Sequence, residues 1–226
     1  MRGYVCGQCH AEYYLAPDGA GVVFPYDNGY TAKDMYEYYQ TQPHGFTEDW
    51  THPDSKVKVL KAQHPDWPIW ETSVHADNGV PCIDCHMPYM TNNGQKYTSH
   101  WMTSPMKHQE ESCSKGHDTD SEVLLNRVKK IEDNVFNVQY KAGNDVAEAH
   151  ATIAKAMAAG ATDEELAEAR ELTRRAQWYW DYCSASNGMG FHNPDQVMTT
   201  LGDAIDDAHK AIESAQRAAA AHGANI

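Results

Sequence analysis

The sequence has no apolar run near the roughly 18 residues that a membrane-spanning helix needs, which excludes a helical span. It is also short of positive charge, with 18 Lys and Arg against 32 Asp and Glu. The resulting formal net charge of −14 disfavours partners held through a basic patch, nucleic acid and anionic membrane surfaces among them. Met1-Arg2-Gly3-Tyr4-Val5 runs directly into Cys6, leaving no room for the apolar region of a signal peptide. Proline is nearly missing from the second half, since nine of the ten prolines precede residue 118. What is abundant is histidine: 13 of 226 residues, beside six cysteines, a ratio that points to metal or haem. The length admits one large domain or two small ones.

Composition divides the chain near residue 118. Five of the six cysteines and nine of the 13 histidines lie before that point, among glycines and aromatic residues, which predicts a loop-rich segment with short helices that buries few of its residues. After it, Leu124, Val128, Ile131, Val135, Val138, Ala142, Val146, Ala149, Ile153 and Ala156 recur at alternating four- and three-residue steps, one apolar stripe along a long helix. Thr119 with Glu122 is a candidate capping box for it, and Gly160 a candidate stop. Thr162 and Glu165 open a second helix with the stripe Leu166, Ala169, Leu172, Ala176, Tyr179, Cys183, ending in Gly188 and Gly190. Asn193 caps a third, with Pro194 in its first turn and Val197, Leu201, Ala204, Ala208 and Ile212 on its apolar face. Small seam residues at a seven-residue repeat suggest shallow packing, within the chain or across a dimer. The fold class expected is mainly α: a loop-rich haem-binding region over residues 1–118, then long helices over 119–226.

Cys6-Gly7-Gln8-Cys9-His10 and Cys82-Ile83-Asp84-Cys85-His86 both read C-x-x-C-H, the pattern in which two thiols bind a haem c covalently and the adjacent histidine ligates its iron. A zinc site needs no histidine directly after each second cysteine, and a redox dithiol belongs to a βαβ setting absent here. Cys113-Ser114-Lys115-Gly116-His117 is a degenerate third copy, with glycine where the second thiol belongs. It is read as a singly linked haem site, an unoccupied relic or a sequence error. Haem also supplies apolar surface to a segment poor in it, so that without haem this half is not expected to fold. Candidate second axial ligands are His44, His52, His64, His75, His100 and His108, then His150, His192, His209 and His222. Of these, His192 sits in an inter-helix turn, whereas His209 and His222 read as solvent-facing. Cys183 reads as a small core residue.

Glu12-Tyr13-Tyr14 follows the first motif within what would be one helical turn of its histidine. Lys61-Ala62-Gln63-His64-Pro65 offers carbonyls, an amide oxygen and an imidazole. Such oxygens suit a hard cation such as calcium, although ordinary polar loops carry the same groups.

Cys-Gly-Gln-Cys-His-Ala-Glu-Tyr-Tyr from Cys6, Leu-Lys-Ala-Gln-His-Pro from Leu60, Cys-Ile-Asp-Cys-His-Met-Pro from Cys82, Ala-Gln-Trp-Tyr-Trp-Asp from Ala176 and Gly-Phe-His-Asn-Pro from Gly190 together resemble the ammonia-forming cytochrome c nitrite reductases, in order and over nearly the whole chain. The resemblance implies a periplasmic pentahaem enzyme reducing nitrite to ammonium with six electrons. It also implies a bound calcium, a quinol-linked or cytochrome electron donor, and a homodimer contact through the long C-terminal helices. It implies that Tyr13 and His64 are the catalytic phenol and imidazole. The calcium ligands would be Glu12, the Tyr13 and Lys61 carbonyls and the Gln63 side chain. His10, His86 and His117 would be proximal haem ligands and His192, His75 and His100 distal ones, His192 serving the iron of His86. The family's lysine-ending substrate-haem motif and active-site arginine precede the position matched by Cys6. The chain is therefore expected to be roughly the C-terminal half of such an enzyme, either a fragment or one part of a split protein. The alternative is a stand-alone multihaem electron carrier without catalysis.

Overall fold

The computed structural model describes residues 3–226, so Met1 and Arg2, where the lead-in to Cys6 begins, lie outside the described residues. Up to residue 118 the chain forms only short elements. Three antiparallel hairpins pair β1 (Tyr14–Ala16) with β2 (Gly21–Val23), β3 (Trp50–Thr51) with β4 (Lys58–Val59), and β5 (Tyr89–Asn92) with β6 (Gln95–Thr98). The helices of this half are α1 (Ala32–Thr41), α2 (Asp66–Glu71), α3 (Val74–Asp77), α4 (Cys82–His86) and α5 (Gln109–Ser112). The first is the best formed, because Thr31 and Asp34 close a capping box at its start.

The expectation that this half buries few residues is not met. Tyr14, Met35, Tyr36, Tyr38, Tyr39, Leu60, Ala62 and Ile69 join Val135, Trp178, Tyr179, Tyr182 and Leu201 in one core cluster. Tyrosines build it. Their rings bury apolar faces while their hydroxyls find partners, as where Tyr36 donates to Glu171 Oε1 at 2.6 Å. Fully buried Trp178 donates its Nε1–H to the Ala32 carbonyl at 2.7 Å, fixing α1 against the helical half.

That half comprises α6 (Ser121–Ala158), α7 (Ala167–Ala185) and α8 (Pro194–Ala221), packed on one another. On α6 the stripe is buried at Val135, Ala142, Val146, Ala149, Ile153 and Ala156, while Leu124, Val128, Ile131 and Val138 are only half-buried. The cap of α6 is Asp120 rather than Thr119: the Asp120 carboxylate accepts from the Glu122 N–H at 2.8 Å. Gly160 follows its end with φ +104°, as a stop residue should. Thr162 and Glu165 do exchange capping hydrogen bonds, around a turn that precedes α7. Asn193 caps α8 by accepting from the Gln196 N–H at 3.2 Å. Arg175 of α7 grips Asp207 of α8 with two contacts of 2.6 Å, the bidentate geometry that makes such pairs strong. Cys183 is buried in this core as expected. His209 and His222 are exposed, beside Asp145 and Glu165.

Candidate functional site

The segments after the first motif and before α2 are distant in sequence, and three hydrogen bonds join them. The Ala11 carbonyl accepts from the His64 N–H at 3.3 Å, the His10 carbonyl from the Trp67 N–H at 2.9 Å, and Glu12 Oε2 from the Gln63 N–H at 2.7 Å. Tyr13 and His64 are thus carried on adjoining backbones, Tyr13 half-buried and His64 exposed. Glu12 and Tyr13 lie outside regular secondary structure, between the 3₁₀ turn that ends at Gln8 and β1, which begins at Tyr14, and the Glu12 side chain is turned into the protein.

Glu12 is fully buried, and its other oxygen accepts from the Tyr39 hydroxyl at 3.1 Å. Burial, with repulsion from Asp181 and Asp49, pushes its carboxyl up to about 8 in spite of these hydrogen bonds. Burial also raises Asp49 and Asp181 themselves. Both grip the same segment after β4: Asp49 accepts from the Lys61 N–H at 2.7 Å and Asp181 from the Ala62 N–H at 2.8 Å. The Lys61 ammonium, 3.4 Å from Asp181, offsets part of this charge. The Gln63 amide donates its Nε2–H to the Lys61 carbonyl at 3.4 Å; turned over, the same amide would present its oxygen beside that carbonyl, as a hard cation requires. A buried carboxylate short of positive charge, beside a carbonyl and an amide, is a donor set suited to calcium. Asp49 and Asp181 were missed in the sequence, although Asp181 ends one of the quoted motifs.

The two intact haem-type motifs sit on a 3₁₀ turn (Cys6–Gln8) and on α4. Burial pushes the Cys82 and Cys85 thiols up to about 11, with further contributions from Cys6 and Cys113 respectively. Such thiols lack the thiolate character of a redox dithiol. The same neighbours order the motifs in space: first beside second, second beside degenerate third. Ser112, just before Cys113, donates to the Cys85 carbonyl at 2.8 Å. Among the described residues no cluster of three or more His, Cys, Asp or Glu side chains is arranged for a bare metal ion; the oxygen donors around Glu12 are partly amide and main-chain groups.

Imidazoles on opposite faces of one iron, with metal–nitrogen bonds of about 2 Å, hold their ring centres roughly 6 Å apart. His86 and His192 stand 6.3 Å apart, and His75 and His117 6.2 Å. Burial and neighbouring imidazoles lower the proton affinity of His75 and His86, favouring the neutral form that ligates metal. His10 and His64 are also 6.3 Å apart. Trp67 Nε1 is buried without a hydrogen-bond partner, and a Cβ at Gly7 would lie 2.8 Å from the Trp67 ring. The residues present therefore fit haem c at the first two motifs. At the third, Cys113 and His117 remain but Gly116 offers no sulfur. His100 is exposed, with no ring partner among the described residues.

Comparison with known proteins identifies the family and the fold. The cytochrome c552 family model matches residues 1–226. A cytochrome c-552 from Bacteroides fragilis is 39% identical over 223 residues, covering 99% of this chain and 45% of that protein. One from Haemophilus influenzae is 42% identical over 206 residues, covering 91% and 38%. Among solved structures, the catalytic subunit NrfA of the cytochrome c nitrite reductase from Desulfovibrio desulfuricans, described for its two calcium sites, superposes with a TM-score of 0.90 at 38% identity, covering 96% of this chain and 48% of that one. The outer cell wall cytochrome OcwA, at 20% identity and TM-score 0.53, shares the fold alone. The chain spans about half the length of the curated relatives it matches. It is mainly α, as expected, and it belongs to the cytochrome c552 family.

Proposed function

We propose that this chain is part of a cytochrome c nitrite reductase that converts nitrite to ammonium with six electrons. The observation that carries the reading is the stitching of Glu12-Tyr13 to Gln63-His64 through the Glu12–Gln63 and Ala11–His64 hydrogen bonds. Nitrite must lose two oxygens as water, and each loss needs protons delivered at the oxygen. The Tyr13 hydroxyl and the His64 imidazole are the donors, and backbones held together fix their relative placement. Glu12, the Tyr13 and Lys61 carbonyls and the Gln63 side chain would hold calcium, whose charge favours an anion's approach to an acidic protein.

Haem c, when bound, supplies the electrons. Cys6, Cys9 and His10 would hold one haem, and Cys82, Cys85 and His86, with His192, a second. Cys113 and His117, with His75, would form a third site, and His100 would serve an iron held outside this chain. On the order of its motifs, the chain corresponds to the C-terminal half of such an enzyme. The assembly is periplasmic, fed by a quinol-linked or cytochrome donor. Residues 1–118 form its haem- and calcium-binding region, and residues 119–226 contribute its homodimer contact.

A second reading, an electron carrier without catalysis, has one observation in its favour: the His10–His64 spacing equals that of the axial pairs, which would make His64 an iron ligand. Tyr13→Phe and His64→Ala in the complete protein separate the two. The enzyme reading expects nitrite turnover to fall about 10²-fold or more, with haem content and low-spin spectra unchanged. Conversion of one low-spin haem to high spin by His64→Ala would establish the carrier reading instead.

A further inference from the structure

Asp66 begins α2 and is 6% exposed. Its Oδ1 accepts from the Ser186 hydroxyl at 2.9 Å and the Gly188 N–H at 3.1 Å, and its Oδ2 from the Asn187 amide at 3.1 Å. So far this is an anchor for the turn after α7. The same two oxygens, however, face imidazoles assigned above to different haems, His10 of the first motif and His192 of the turn before α8. Oδ2 lies 3.5 Å from His10 Nδ1, and Oδ1 lies 3.5 Å from His192 Nδ1. His192 Nδ1 is buried with no closer partner, and a Cβ on Gly188 would come within 2.5 Å of it, so only glycine there admits the ring. With Nδ1 turned to the carboxylate, each imidazole leaves Nε2 for iron.

We propose that Asp66 is a positioning residue shared by two haems, one carboxylate that orients an axial histidine of each and lowers both reduction potentials. This rests on His10 and His192 being axial ligands, as proposed above. A carboxylate at the far nitrogen makes an imidazole a stronger donor and stabilises the more positive, ferric state of the iron. One charge serving two centres moves both in the same direction, which keeps neighbouring relay stations matched. The His192 side is the better shielded, its side chain being 22% exposed against 56% for His10, so its haem should respond more.

The test is a spectroelectrochemical titration of the complete haem-loaded protein. Asp66→Asn removes the charge and keeps an acceptor for Ser186 and Gly188. The expected result is that two haem midpoints rise, the His86/His192 haem more, while the others and the haem content stay unchanged. Ser186→Ala, which loosens the anchor and keeps the charge, should move neither midpoint. Should Asp66→Asn fail to fold, Asn187→Asp adds negative charge beside Oδ2 and should lower the potential of the His10 haem. Unmoved midpoints in these charge variants, or an equal shift in Ser186→Ala, overturn the proposal. A His192→Ala protein that stays fully low-spin removes the ligand reading itself, and this proposal with it.

Discussion

The Glu12 carboxylate receives the Gln63 N–H at 2.7 Å and the Tyr39 O–H at 3.1 Å, inside a protein that presents Asp49 and Asp181 to the same place. So buried a negative group, with negative neighbours, is a poor choice unless a cation joins it.

Glu12→Gln should therefore lower the calcium retained after dialysis, measured by elemental analysis of the complete protein. Glu12→Ala should in addition destabilise it, at about 1–3 kcal/mol for each donor left without an acceptor. Calcium retained at wild-type level in both variants would exclude Glu12 as a ligand.

Intact mass spectrometry should find two doubly linked haems contributed by this chain, with a third absent or attached through Cys113 alone. Gly116→Cys restores the C-x-x-C-H pattern and should add one thioether link. Three doubly linked haems in the unaltered chain would contradict the prediction.

Gly190 adopts φ +81°, and a Cβ there would stand 2.6 Å from Val135 Cγ2. Gly190→Ala combines a left-handed backbone cost with overpacking, so a stability loss on the order of 2–4 kcal/mol is expected. Because His192 follows two residues later, the low-spin signature of its haem should weaken as well. Thermal melts and absorption spectra check both effects.

His150 is buried between Ser55 Oγ at 2.7 Å and Gln177 Oε1 at 2.8 Å, with the His52 ring stacked on it at 4.1 Å. Burial, with repulsion from His52, holds its pKa down to about 4. The unfolded chain, titrating near 6.5, binds the proton first. Stability from this site is therefore complete above that value and is lost as pH falls towards 4. The loss is on the order of 3 kcal/mol at about 1.4 kcal/mol per unit. His150→Gln should flatten the pH dependence of the melting temperature between pH 6.5 and 4.5; an unchanged slope would show that other groups govern it.

What could be read in advance was what repeats or lies close together in sequence. The stripe from Val135 to Ala156 and the Asn193 cap are periodic or local signals, and both appear in the fold. So do the two intact motifs, whose chemistry needs only neighbouring residues. The core built by Met35, Tyr36, Tyr38 and Tyr39 was hidden, because tyrosine-rich sequence reads as half-polar until its hydroxyls have partners. The cluster of Glu12 with Asp49 and Asp181, and the reach of Asp66 to the turn after α7, join residues far apart in sequence, where no spacing rule applies. The error over Thr119 and Asp120 at the start of α6 was one of phase, since both residues are good caps placed side by side.

The meeting of Cys6 with Cys82 has a consequence for how such a chain forms and varies. The two cysteine pairs are brought together by closing a long loop, and contacts of that separation form late and slowly. The entropy of closing a loop grows only with the logarithm of its length, about 0.6 kcal/mol per doubling. Residues added in an exposed turn between these motifs, such as 17–20 between β1 and β2, therefore carry little thermodynamic penalty, whereas the packed segments holding Met35, Tyr39 and Asp66 and the few residues around each cysteine pair cannot change length so freely.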